Sequence, residues 1–154
     1  LPSFQISLKG RALRYLAARE HSRAELERKL APHEGEPGEL ARVLDELTAK
    51  GFISEARVVE SVLNRRASKL GAGRVMQELR GKGIGADALA EAAENLRATE
   101  FARACEVWRK KFGARTDTLS DPAERARQMR FLGARGFSAE VVQRVVRSAG
   151  VDDS

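Results

Sequence analysis

The chain has 154 residues, 42% of them apolar and 32% charged, with a net charge of +6 and a pI near 10.0. That balance excludes a disordered polyelectrolyte, and no apolar run approaches the roughly 18 residues that a membrane-spanning helix needs. Aromatics are only 5%, and the abundance of Ala, Leu, Arg and Glu favours helices over strands.

Apolar spacing is helical nearly throughout. Leu8, Ala12, Tyr15 and Leu16 predict a first helix. In "HSRAELERKL", Ser22 followed by Glu25 predicts a capping box opening a second helix that runs to Pro32. The stretch "APHEGEPG" reads as a loop, and Leu40, Val43, Leu44 and Leu47 as the stripe of a third helix. A fourth helix from Ser54 to about Lys69 is expected to present Ala56, Val59, Val62, Leu63 and Ala67 on one side. "GAG" at 71–73 breaks it. Val75, Met76 and Leu79 mark a fifth helix, Leu89, Ala92, Ala93 and Leu96 a sixth, and Phe101, Ala104, Cys105, Trp108 and Phe112 a seventh. The loop "GARTDTLSDPAE" ends in a start signal, with Asp121 as cap and Pro122 in the first helical position. Met129 and Leu132 belong to an eighth helix, and Val141, Val142, Val145 and Val146 to a ninth.

Three phrases share one helix stop: "LTAKGF", "LRGKGI" and "LGARGF". In each, a glycine (Gly51, Gly83, Gly136) is expected in the left-handed conformation just past the helix. The following Phe52, Ile84 or Phe137 is expected to pack back onto Leu47, Leu79 or Leu132. A helix stop alone proves no repeat. The spacing beyond it does more: Leu30 to Leu40, Leu79 to Leu89 and Leu132 to Val142 are each ten residues, and the apolar pattern then continues in step. The expected fold class is all-α, with three tandem three-helix repeats forming an elongated, curved body. The expected divisions are an N-terminal extension 1–7, repeats at 8–51, 54–97 and 98–149, and a tail 150–154.

The charge is blocked. Residues 20–60 are net −4, residues 61–82 net +5, residues 83–100 net −3 and residues 101–135 net +5. Such blocks suit phosphates or an acidic protein surface. The candidate binding residues are Arg65, Arg66, Lys69, Arg74, Arg80 and Lys82 in the middle repeat. Lys110, Lys111, Arg127, Arg130 and Arg135 are their counterparts in the last. Lys82 and Arg135 also have a plainer reading as cations completing helix ends, and Arg127 as a partner of Glu124. Trp108, Phe101 and Phe112 recur at helical spacing and read as buried, so phosphate or protein contacts are expected over base stacking.

Cys105 is the single cysteine and reads as a core residue; one cysteine permits no internal disulfide and suits a reducing cytoplasm. His21 and His33 lack the cysteine partners of a zinc site. "GKGIGADA" follows no strand and carries no phosphate-loop lysine, so neither a nucleotide cofactor nor catalysis is expected.

Four segments in order, "ALRYLAAREHSRAELERKL", "VLDELTAKGFISEARVVES", "RRASKLGAGRVMQELRGKGI" and "RARQMRFLGARGFSAEVVQRVV", resemble the RecX family of bacterial regulators of the RecA recombinase. The similarity runs from about Ser7 to Ala149. It implies tandem three-helix repeats, binding along the groove of RecA–DNA filaments, and inhibition of recombinase, ATPase and co-protease activities. The implied partners are the RecA filament and single- and double-stranded DNA through their phosphates, with no membrane, and a monomer is expected. Two departures stand out: Gly85 where the third unit has Ser138, and the long linker of the first unit. The residues leave two other readings open, a sequence-tolerant helical DNA-binding protein acting without RecA and a scaffold whose basic surface meets acidic loops of a partner.

Overall fold

The structure, a computed structural model, describes residues 5–113 and 121–151. Eight α-helices account for most of these residues: α1 Leu8–Ala18, α2 Arg23–Leu30, α3 Glu39–Ala49, α4 Glu55–Arg66, α5 Ala72–Gly81, α6 Ala86–Phe112, α7 Pro122–Ala134 and α8 Ala139–Val151. A single 3-10 turn, Ala31–His33, follows α2, and no strand occurs among the described residues. No described helix is long and apolar enough to cross a membrane.

The local signals act as the residues dictate. Ser22 accepts from the Glu25 amide while the Glu25 carboxylate accepts from the Ser22 amide, which completes the capping box. Asp121 caps α7 with Pro122 in the first turn; residues 114–120 of the loop read before it lie outside the described residues. Gly51, Gly83 and Gly136 all have positive φ. Phe52, Ile84 and Phe137 donate their amides to the carbonyls of Leu47, Leu79 and Leu132, as the helix-stop motif requires. One residue departs from that expectation. Phe52 is 48% exposed, and the next residue, Ile53, enters the core in its place.

Packing falls into three groups. Helices α1, α2 and α3 pack together, then α4, α5 and the start of α6, then the remainder of α6 with α7 and α8. Each group has its own core: Leu8, Leu26, Leu30, Leu44 and Leu47 in the first, Val58, Val62, Val75, Leu79 and Leu96 in the second, and Ala104, Leu132, Phe137 and Val145 in the third. Among the described residues the first group meets the second through Ser22 and Lys82, and the second meets the third through Gly71, Gly73, Arg135 and Gly136, so the groups follow one another in chain order.

Two expectations need correction. The sixth and seventh predicted helices are one helix, α6, of 27 residues. Between Ala86 and Phe112 the sequence has neither glycine nor proline, so nothing stops the helix while its buried residues pass from one core to the next. On α4 the buried residues are Val58 and Val62, whereas Ala56 is exposed. Val59, Leu63 and Ala67 of the expected face pack at the edge of the same core, so the buried stripe is rotated by about one residue toward Val58 and Val62. Cys105 is half-buried against the third core. Phe112 is buried, and Phe101 and Trp108 are half-buried beside that core.

The groups meet through one repeated joint. Lys82 and Arg135 each end the second helix of their group, and their carbonyls turn back onto the preceding group. The Lys82 carbonyl accepts from the Ser22 hydroxyl. The Arg135 carbonyl accepts from the Gly71 amide at 2.8 Å, and the Gly136 carbonyl from the Gly73 amide at 3.2 Å. Ser22 and Gly71 are the residues that open α2 and α5.

Candidate functional site

The longest helix positions the site. Because α6 belongs to two groups, its last turn carries Lys110 and Lys111 back over the end of α4 and beside the end of α7. A cleft of about 460 Å³ opens there, lined by Ser68, Lys69, Val107, Lys110, Lys111, Phe131 and Arg135. Four cations from three elements converge on it. None of the four is in an ion pair among the described residues. Lys110 and Lys111 lie where the α6 dipole favours positive charge. The Phe131 ring, held edge-on to Phe112 with centroids 5.4 Å apart, supports two of them. The Arg135 guanidinium lies 4.9 Å from its centroid and the Lys111 ammonium 5.5 Å. Stacking of this kind orients a cation without neutralising it. Such a cleft can take phosphates or carboxylates. Phe131 escaped the sequence reading, although its four-residue offset from Arg135 on α7 was a usable signal.

The other candidates lie elsewhere. Arg66 and Arg65 approach Glu78 at 3.3 and 3.8 Å, and both arginines remain about half exposed. Arg74 donates to the Ala134 carbonyl at 3.0 Å and so braces the second joint. Lys82 is the most buried, with its side chain 15% exposed and its ammonium 3.3 Å from Glu25. Arg127 holds Glu124 through two hydrogen bonds of 2.9 Å. Arg80 and Arg130 are exposed and have no side-chain partner among the described residues, and neither lines the cleft.

Two buried carboxylates, neither a binding candidate, hold the two joints of the chain, Glu25 the first and Glu100 the second. Burial alone would raise the Glu25 carboxyl. The Arg19 hydrogen bond and the Ser22 amide, with the charges of Lys82 and Arg19, outweigh burial and hold it at about 2. Glu100 is 6% exposed at the middle of α6. One of its oxygens accepts from both the Ala72 and Ser138 amides at 3.3 Å, joining the starts of α5 and α8. Arg103, one turn on, donates to the carbonyls of Ala67 and Leu70 at 2.8 and 2.7 Å. Gly85 lacks the hydroxyl that Ser138 uses to cap α8, and the Glu55 carboxylate accepts its amide at 3.0 Å instead. His21 is buried against Tyr15 and Lys29, and burial lowers its pKa, so it is a packed neutral ring at pH 7.

A chain of three packed helix triplets, joined by repeated turn-to-helix contacts and sharing one long helix, is a tandem three-helix-repeat protein. Comparison with known proteins makes this specific. Family models described as the first and third three-helix domains of RecX match residues 9–47 and 98–146. The regulatory protein RecX of Leptothrix cholodnii is 58% identical over 94% of this chain and 90% of that protein. RecX of Ralstonia nicotianae is 50% identical over 97% and 92%. The crystal structure of RecX from Lactobacillus salivarius superposes with a TM-score of 0.77 at 20% identity, covering 94% of this chain and 95% of that one. This chain belongs to the RecX family of regulatory proteins.

Proposed function

We propose that this protein restrains RecA by lying along a RecA–DNA filament, with the cleft between its second and third helix groups seated on phosphates or acidic side chains of the filament. One observation carries the reading: Lys69, Lys110, Lys111 and Arg135 converge on one cleft, without ion-pair partners among the described residues, in a chain of a family named for regulation. Arg65, Arg66, Arg80 and Arg130 extend the same charge outward as long-range attraction for a polyanion. Arg74, Lys82 and Arg127 serve mainly to hold the body that presents it.

The test is a titration of RecA's DNA-dependent ATP hydrolysis. Amounts well below one chain per RecA should suppress it, because a body seated along a filament, or blocking its growth, acts on many subunits. Lys69→Glu, Lys110→Glu and Lys111→Glu together should raise the half-inhibitory amount at least tenfold with helix content unchanged. The salt dependence of filament binding should also fall by about 2 to 3 in log–log slope, as each phosphate contact contributes about 0.9. Suppression that occurs only at amounts saturating free DNA would overturn the reading and leave a DNA-binding protein that acts without RecA.

A further inference from the structure

Inside the chain, each helix group receives the turn between the second and third helices of the next group. Lys82–Gly83 seats on Ser22 and Ala24, and Arg135–Gly136 on Gly71 and Gly73. Among the described residues two counterparts have no mate: the loop between α2 and α3 in the first group, and the start of α7 in the third.

Beside the third group's counterpart of that seat, Glu124 and Ala126, an open cleft of about 440 Å³ lies between α7 and α8, lined by Pro122, Arg125, Ala126, Met129, Gln143, Val146 and Arg147. Alignment on the buried leucines Leu30, Leu79 and Leu132 shows what is unusual about it. Seven residues before them stand Arg23, Ala72 and Arg125. Five residues after Leu40, Leu89 and Val142 stand Asp45, Glu94 and Arg147. In the first group this pair closes as an ion pair, Arg23 to Asp45 at 2.8 Å. In the third group the same two places hold two arginines, both exposed, with no partner among the described residues. Two like charges lining one cleft disfavour each other until an anion sits between them.

The backbone chemistry differs in the same direction. At the internal joint, the Gly71 and Gly73 amides receive the incoming carbonyls. Helix α7 starts three residues earlier relative to its leucine than α2 and α5 do. The places of Gly71 and Gly73 relative to the leucine fall here on Glu124, which Arg127 holds, and on Ala126, both inside α7. The exposed cationic donors lining the cleft are the Arg125 and Arg147 guanidinium groups, which favour carboxylates over carbonyls.

The unreceived turn supplies carboxylates. "APHEGEPGE" carries Glu34, Glu36 and Glu39, all outside any ion pair among the described residues. Glu34 spends one oxygen on the Leu40 amide, and Glu39 spends one on the Gly35 and Glu36 amides. The Glu36 carboxylate is exposed and uncommitted. The cations just before the loop are engaged elsewhere, Arg28 with the Gly81 carbonyl and Lys29 with His21.

We infer that the α7–α8 cleft is the receiving half of a head-to-tail contact between copies of this chain, filled by the acidic 31–39 loop of the next copy. The contact continues the internal repeat from one molecule to the next, with Arg125 and Arg147 pairing with Glu34 and Glu36 around a floor of Met129 and Val146. Two or three partly exposed ion pairs make a weak contact. Copies are separate when dilute and join when concentrated or aligned on a common track.

Sedimentation velocity of the full chain alone, without RecA or DNA, tests this independently of the proposed function. The weight-average sedimentation coefficient should rise with concentration at about 0.1 M salt and stay flat at about 1 M, where the screening length falls from about 10 Å to about 3 Å. Arg125→Glu/Arg147→Glu and Glu34→Lys/Glu36→Lys should each abolish the rise, and an equimolar mixture of the two should restore it. Glu36→Lys alone, whose parent side chain makes no bond within the loop, should weaken association severalfold while circular dichroism and Tm stay unchanged. A concentration-independent monomer at low salt overturns the inference. So does association that survives both charge reversals, or a mixture that fails to recover it. Binding of a short duplex that is lost in Arg125→Glu/Arg147→Glu, with the chain otherwise monomeric, assigns the cleft to nucleic acid instead.

Discussion

Gly71 has almost no space around it. A Cβ built there would lie 2.3 Å from the Phe137 amide nitrogen and 2.4 Å from the Gly136 carbonyl carbon, both of them backbone atoms that cannot swing aside. Gly71→Ala should therefore force the second joint apart and cost about 2 kcal/mol or more, read as a fall in the urea midpoint. Gly51 makes a sharp contrast. Its φ is +83 but a Cβ would meet nothing within 4 Å, so Gly51→Ala should cost only about 1 kcal/mol, from backbone strain. Arg135 does two things at once: its carbonyl receives the Gly71 amide while its guanidinium lies on Phe131 in the basic cleft. On the proposed function, Arg135→Ala should weaken filament binding with little loss of stability, because the joint uses only its backbone. A fall in Tm as large as that of Gly71→Ala would contradict this division.

Helix α6 is the element that makes two groups one body. Leu96 lies in the second core, Glu100 at the changeover and Ala104 in the third core. Ala98 is exposed between them, so a proline there removes one backbone hydrogen bond without emptying a core. Ala98→Pro should cost about 3 kcal/mol and split thermal unfolding into two transitions, observable by calorimetry; a single transition would show that Glu100 and Arg103 suffice to couple the groups. The first joint rests on charge instead. Glu25 has a folded pKa of about 2 against an ordinary value of 4.5. Its depressed pKa contributes stability that is complete above about 4.5 and is lost as pH falls toward 2. Acid unfolding should show that loss, and Glu25→Gln should flatten the pH dependence of the urea midpoint across this window.

At the scale of the whole molecule, the two joints are unlike. The second is a backbone seam with no room for side chains, braced by a continuous helix and by Arg103 and Arg74. The first is made of side chains: the Ser22 hydroxyl, the Lys82–Glu25 pair, and Arg57 reaching Glu20 at 2.8 Å. Lys82→Met should therefore broaden the distance between spin labels on the first and second groups while leaving the second-to-third distance sharp. Equal broadening of both distances would mean that the joints do not differ in this way.

Much of this was legible in residue order. Helix stops at Gly51, Gly83 and Gly136, the capping box at Ser22 and Glu25, and the Asp121–Pro122 start are local chemistry, settled within a few residues of chain. The ten-residue spacing from leucine to leucine carries the repeat, because buried positions recur with the helix period. What residue order did not show was how one group meets the next. "GAG" read as a helix breaker, but its glycines exist for the backbone of a turn more than sixty residues away. The basic residues looked alike in the sequence, and folding sorted them: Arg74 and Lys82 into joints, Arg127 onto Glu124, and Lys69, Lys110, Lys111 and Arg135 into one cleft. The physical reason is range. Capping and periodicity act over a turn or two of helix, whereas the fate of a long cationic side chain depends on which carboxylate, carbonyl or ring the packing of distant helices brings within 3 to 5 Å.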